Sequence, residues 1–371
     1  MTVKFISANE VAHEVVRREQ VQILDVRKPE DSEDWHIEGD TVNLINIPLK
    51  ELNSDSSELQ NLPKDQPLYT VCGKGNDSQK AAAYLQENGF SNVYSIDGGM
   101  AAWSEQLEPV QIGEVKGGAI YQFVRLGKGC LSYLIESDGE AAIVDASRMT
   151  DVYEQFAKEK GMKIKYVIDT HLHADHISGG KGLADSTGAA YYLPPEDADE
   201  VVFAFEPATD GLKLEVGSTT IEAVYSPGHT IGSTTFVVDD KYLLTGDILF
   251  VESIGRPDLA GKATDWAEDL YETLYSRYKK LADSLLVLPA HYAEVSEMNE
   301  DGSVSEKLAV LYDTNEGLQI RDEAKFIKRV TEGLKDQPNA YEDIRQTNMG
   351  KMTPPTDEAK EMETGPNNCA V

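Results

Sequence analysis

The segment His171-Leu-His173-Ala-Asp175-His176 restricts the possible folds of this chain more than any other feature. Three imidazoles and a carboxylate fall within six positions, directly after an apolar run at 165–169 that reads as a strand. His229, Asp247 and His291 also follow runs that read as strands, at 219–225, 242–245 and 285–288. Five of the seven His residues therefore stand just beyond strand ends, which a scatter of satisfied surface or core histidines does not readily produce. If those strands share a sheet direction, the four segments converge on one edge. Imidazole and carboxylate gathered in this way suit Zn, Fe or Mn.

The rest of the chain reads as two units. Over 1–108, a capping-box pattern (Ser7 to Glu10) opens a helix carrying Val11, Val15 and Val16. Short apolar strands at 21–26, 67–72 and 93–96 alternate with helices, the second of which carries Ala81, Ala82, Tyr84 and Leu85. This predicts a mainly parallel α/β sheet covered on both faces. Residues 109–118 read as a linker. From 119 to 371 short strands follow one another, at 119–125, 131–137 and 141–145, with helical stretches at 151–160 and 264–281. That mixture predicts an α+β sandwich. A polar, helical extension begins at about 304.

Composition removes several classes of function. Lys and Arg number 34 against 65 Asp and Glu, a net charge of −31 in 371 residues, so nucleic acid and anionic membrane are poor partners. The 40% apolar content supports packed cores. There is no run long enough to span a membrane and no secretory h-region. Three Cys residues, an odd number without a pairing pattern, predict a reducing, cytoplasmic setting. Cys130 reads as a buried small hydrophobe. Trp266 and the Tyr residues of 271–278 read as packing groups, and the acidic runs at 30–34 and 294–301 as solvated surface.

Cys72 lies between a strand and a helix, with Gly73, Lys74 and Gly75 beside it. Loop amides, the helix N-terminus and Lys74 together would favour an anionic sulfur there. A buried, inert thiol is the competing reading of the loop taken alone. The surrounding residues decide between them. Asp25-Val-Arg27, Trp35-His-Ile-Glu-Gly39, Ile47-Pro48, the Cys72-to-Ser78 loop and Asp97-Gly-Gly-Met-Ala-Ala-Trp103 together resemble a rhodanese sulfurtransferase over about 3–107. The resemblance implies a Cys72 persulfide. Asp77 stands where many members carry Arg, which weakens the cationic cradle for thiosulfate.

Residues 115–295 resemble the metallo-β-lactamase fold, an αββα sandwich, through the cluster at 171–176 with His229, Asp247 and His291. Within that fold the chain resembles the persulfide dioxygenases more than glyoxalase II. Gly255-Arg-Pro-Asp258 matches their Gly-Arg-x-Asp motif, and the tail features at Asn315, 338–348 and 365–370 resemble bacterial members. A rhodanese unit also shares sulfane-sulfur chemistry with such an enzyme. Ile254 departs from animal-type members, which carry Cys. The resemblance implies one Fe(II) per chain on His171, His229 and Asp247. His173, Asp175, His176 and His291 would then stand behind these ligands or form a second metal position. Arg256, Thr230 and Tyr292 would stand near the substrate.

The implied reactants are a low-molecular-weight thiol persulfide, O2 and sulfite or thiosulfate, with a homodimer or homotetramer as the assembly. The alternatives are a hydrolase of the glyoxalase II type with two Zn(II), and a sulfur carrier or sensor with a vestigial metal site. Anionic reactants on so acidic a chain require local positive islands, for which Lys74 and Arg256 are the available cations.

Overall fold

Ser7 starts the first helix, Ala8–Val16, as its capping box predicts. Its hydroxyl accepts from the Glu10 amide at 3.1 Å, and Glu10 accepts from the Ser7 amide at 2.9 Å. This is a computed structural model describing residues 2–53, 56–257, 263–332 and 340–365. Cys369, the 366–370 part of the tail and Asp258 of the Gly-Arg-x-Asp motif lie outside those residues.

The N-terminal unit is a five-stranded sheet in the order Lys4–Ile6, Val93–Ile96, Leu68–Val71, Val21–Asp25, Val42–Asn46. Every neighbouring pair is parallel. All four residues of Leu68–Val71 are buried, because helices cover both faces of this central strand. Cys72 follows it, and Gly75, at φ 88°, turns the chain into the helix Asn76–Glu87. Gly99 lets the helix Gly99–Trp103 come close to this loop, since a Cβ there would lie 2.2 Å from the Cys72 carbonyl. The Met100 and Ala101 amides donate to the Cys72 and Gly73 carbonyls at 2.8 and 3.0 Å.

The segment expected to be a linker is instead largely strand. Glu108–Val115 pairs antiparallel with Gly118–Arg125 and forms the edge of the next sheet. Residues 109–118 hold one Pro and three Gly, a linker-like composition, but Val110 and Val115 are buried by tertiary packing. That sheet has seven strands, in the order Glu206–Pro207, Ala190–Leu193, Lys163–Ile168, Glu140–Val144, Cys130–Ser137, Gly118–Arg125, Glu108–Val115. It faces a six-stranded sheet ordered Lys213–Val216, Thr219–Tyr225, Thr234–Val238, Tyr242–Gly246, Leu286–Pro289, Glu306–Lys307.

Alternation along each strand builds the layers. Val124, Ile135 and Val144 meet Ile221, Phe236 and Leu244 between the sheets. Phe123, Leu134 and Ile143 point the other way, to Tyr153, Ala157 and Leu183 of the helices Thr150–Glu159 and Gly180–Thr187. On the far side, the helix Ala263–Glu272 packs with Leu308, Phe326 and Val330 from the extension. Trp266 and Tyr278 are buried, as expected of packing groups. The extension continues as the helices Tyr341–Asn348 and Thr356–Met362. The layers are helix, sheet, sheet, helix. No helix among the described residues is long and apolar enough to cross a membrane.

Candidate functional site

The strands that carry the His and Asp residues do not lie in one sheet. Lys163–Ile168, which leads to His171, belongs to the seven-stranded sheet, whereas those leading to His229, Asp247 and His291 belong to the six-stranded sheet. The loops of both sheets meet at one end of the sandwich. All of His171, His173, Asp175, His176, His229, Asp247 and His291 are at most 2% exposed.

The structure sorts these residues into three groups. His171, His229 and Asp247 bring their ligand atoms within 4.8 Å of one another. Asp247 Oδ2 lies 3.4 Å from His229 Nε2 and 4.0 Å from His171 Nε2. Asp175, His176 and His291 form a second group, and Cys130 joins them. His291 Nε2 stands between the groups, 3.2 Å from Asp247 Oδ1 and 3.4 Å from Asp175 Oδ2. His173 belongs to neither. Its Nε2 lies 3.1 Å from Asp145, in a third group with Asp169.

The donors fit a divalent metal. Both Asp247 oxygens and His176 Nε2 are buried without a hydrogen-bond partner in the protein, as groups completed by an ion or an ordered water are. The ring nitrogens turned away from Asp247 are held by the protein. His229 Nδ1 bonds the Arg256 carbonyl at 2.9 Å. Thr170 Oγ1 donates to Asp145 at 3.0 Å, so it accepts from His171 Nδ1 at 2.9 Å. Both rings are thereby left with Nε2 as the free lone pair.

The electrostatics agree. Burial pushes His171 well below the ordinary imidazole value and lowers His229, which favours the neutral, ligating forms. Burial would raise the Asp247 carboxyl, but His291 and His229 hold it below the ordinary carboxylate range. For His173 burial is outweighed by Asp145, which lifts it to about 10, so this ring keeps its proton. Gly255 makes the assembly possible, since a Cβ there would lie 1.8 Å from the Asp247 carbonyl.

The expected substrate residues separate. Arg256 is buried beside the cluster at 1% exposure, its backbone fastening His229. The Thr230 hydroxyl is taken up by Asp197 at 2.7 Å and Ser233 at 2.8 Å, which fixes the loop around His229. Tyr292 lines a small cavity between the two units, together with Trp35, Glu38 and Lys128.

Several supporting residues escaped the sequence reading. Asp145 and Asp169 had a usable signal, because each stands at the end of a predicted strand, close to where the candidate ligands emerge. Cys130, read as a simple core residue, is buried but stands at the cluster, with its Sγ 3.8 Å from Asp175 Oδ2. Glu297, read as solvated surface, is 5% exposed. It accepts from the Ala293, Glu294 and Glu252 amides at 2.7, 3.1 and 3.4 Å, tying the loop after His291 to the loop after Asp247. Asn315, by contrast, was among the tail features singled out in the sequence, and it fastens that second loop through the Phe250, Val251 and Ser253 carbonyls.

The Cys72 site is a separate cavity. Arg27, Lys28, Lys50, Lys74 and Lys80 line it with only two carboxylates, Asp31 and Asp77. Five cations thus gather at this cavity on an acidic chain, three of them already paired: Arg27 with Asp25, Lys28 with Glu30 and Lys80 with Asp77. Asp77 is paired with Lys80 at 2.7 Å, and Arg27 is forked onto the buried Asp25 at 2.6 Å.

Comparison with known proteins follows this division. Residues 7–106 match the model of the rhodanese-like domain. Residues 126–293 match that of the metallo-beta-lactamase superfamily. The mitochondrial persulfide dioxygenase ETHE1 of Bos taurus is 32% identical over 178 residues, covering 46% of this chain and 67% of that protein. Among solved structures, a metallo-beta-lactamase from Staphylococcus aureus aligns with a TM-score of 0.58 at 27% identity, over 63% of this chain and 73% of that one. ETHE1 from Myxococcus xanthus aligns at 0.56 and 23% identity, over 63% and 99%, and shares the fold. The chain thus belongs to the metallo-beta-lactamase superfamily, with the persulfide dioxygenases among its relatives and a rhodanese-like domain in front.

Proposed function

We propose that the chain oxidises a low-molecular-weight thiol persulfide at a single Fe(II) held by His171, His229 and Asp247, and moves sulfane sulfur through Cys72. The balanced reaction is RSSH + O2 + H2O → RSH + SO3²⁻ + 2H⁺. The observation that carries it is the two-His, one-carboxylate group, separated from His173 by the Asp145 hydrogen bond. The relatives named persulfide dioxygenase support the same reading. When bound, Fe(II) supplies open coordination positions at which persulfide and O2 meet.

The chain's own residues do the rest. Thr170 and the Arg256 carbonyl fix the two imidazoles so that Nε2 faces the site. Burial excludes bulk water, and His291 Nε2 faces Asp247 at 3.2 Å and Asp175 at 3.4 Å. Arg256, buried and bonded to His229 through its carbonyl, is the cation proposed to receive an anionic persulfide or a substrate carboxylate. In the front domain, Cys72 would hold the outer sulfur as a persulfide. Transfer of that sulfur to sulfite gives thiosulfate; transfer to a thiol gives the oxidation substrate.

The second group, Cys130, Asp175, His176 and His291, keeps a binuclear hydrolase reading in play. Metal analysis with an O2 electrode decides between them. The proposal expects about one Fe per chain and O2 uptake with glutathione, coenzyme A or bacillithiol persulfide. Two Zn per chain, with thioester turnover and no O2 uptake, would overturn it.

A further inference from the structure

The C-terminal extension grips the metal loop from behind. Asn348, the last residue of the helix Tyr341–Asn348, donates through Nδ2 to the His173 and His176 carbonyls, both at 2.9 Å. Its Oδ1 accepts from the Ser178 amide at 2.9 Å. Glu363, just beyond the helix Thr356–Met362, is fully buried and accepts from the Ile177 amide at 2.6 Å. That amide follows His176 directly. The stretch 169–178 has no regular helix or strand, so these side chains satisfy backbone groups that a sheet or helix would otherwise satisfy.

A buried carboxylate needs partners. Arg125, also fully buried, approaches Glu363 at 3.1 Å, and Arg148 at 2.6 Å. The same arginines reach the front domain. Arg125 Nε donates to the Ser104 carbonyl at 2.6 Å, and Arg148 pairs with Glu105 at 2.6 Å. Lys360 of the extension adds a bond to Glu105 at 2.9 Å. Ser104 and Glu105 follow the helix whose amides hold the Cys72 and Gly73 carbonyls.

We propose that Asn348 and Glu363 are positioning residues of the metal centre: they fix the backbone of 173–178 and register it against the Cys72-bearing domain. The inference rests on the reading of His171, His229 and Asp247 as a metal site. It adds that the extension, remote in sequence, sets the geometry of the site. Residues that only orient ligands change metal affinity by about 10–100-fold when replaced, and that is the effect expected here.

The test uses the full chain with Asn348→Ala and Glu363→Gln. In metal-free protein, amide exchange over 171–178 should speed up. Fe(II) affinity, read by chelator competition, should fall by about 10–100-fold. Turnover per bound iron should fall with KM unmoved, while sulfur transfer at Cys72 stays at the wild-type rate. Asn348→Asp, which keeps the acceptor for Ser178 but turns an oxygen toward two carbonyls, should do no better than Ala. If Glu363→Gln does not fold, the same readouts on Asn348→Ala and the milder Asn348→Ser decide. Variants that melt earlier, yet keep exchange over 171–178, iron affinity and turnover per iron unchanged, would overturn the proposal. Altered exchange and affinity in a protein that never consumes O2 would uphold the positioning role and defeat the dioxygenase reading.

Discussion

Cys72 sits one residue beyond the strand Leu68–Val71, and the helix that follows it begins at Asn76. Its cavity is lined from two nearby stretches, 26–50 and 72–80. The metal centre is built the other way. Its candidate ligands come from loops of two sheets, from His171 to Asp247, and the backbone of 173–178, next to the first of them, is held by Asn348 and Glu363. A strand–loop–helix unit carries most of its own geometry. A centre assembled from distant loops borrows its geometry from everything packed behind it, at the cost of closing long loops during folding.

This contrast can be broken by substitution. The largest effect should come from Asp247→Ala, which removes the carboxylate shared by His171, His229 and His291. O2 uptake should fall beyond the roughly 100-fold typical of residues that only support ligands, and iron should be lost. Sulfur transfer should persist. Cys72→Ser should give the mirror image, abolishing sulfur transfer with iron retained. Parallel iron analysis and thiosulfate sulfurtransferase assays check both. Simultaneous loss of the two activities in either variant would show that the centres are not independent.

His173→Ala comes next. It should leave iron bound but strand the buried Asp145 and Asp169 without their cation, destabilising the fold by about 3–5 kcal/mol in chemical denaturation. Loss of iron at full stability would instead make His173 a ligand.

Acid should then release the extension before the front domain. Burial would raise the Glu363 carboxyl, but Arg125 and Arg148 hold it below its ordinary value of 4.5. A carboxyl lowered on folding stabilises above its unfolded pKa, and that contribution is lost as pH falls through the folded value. Limited proteolysis of the extension should therefore accelerate as pH drops below 4.5, with a weaker response in Glu363→Gln. The smallest effect should be that of Asp77→Arg. Asp77 is exposed and paired with Lys80, so reversing its charge should lower KM for thiosulfate by a modest factor and leave O2 uptake alone.

Much of this was visible in the residue order. The capping box at Ser7, the strand before Cys72 and the cluster at 171–176 are local patterns, carried by residues adjacent or one helical turn apart. What stayed hidden depends on contacts between distant segments. Glu108–Val115 read as a linker because only pairing with Gly118–Arg125 makes it a strand. Glu297 looked like one more surface acid because its three amide donors come from the folded loops around it.

His171 and His173 show where that boundary lies. Two residues apart in one motif, they are chemically identical in the amino-acid order, and both were legible as polar groups at a strand end. Their roles parted only when Asp145, at the end of a neighbouring strand, took one ring and Asp247, from the opposite sheet, faced the other. Local order sets which donors exist and roughly where they emerge. The packing of two sheets and an extension sets which nitrogen keeps a proton and which keeps a lone pair, because burial and the nearest carboxylate govern that choice.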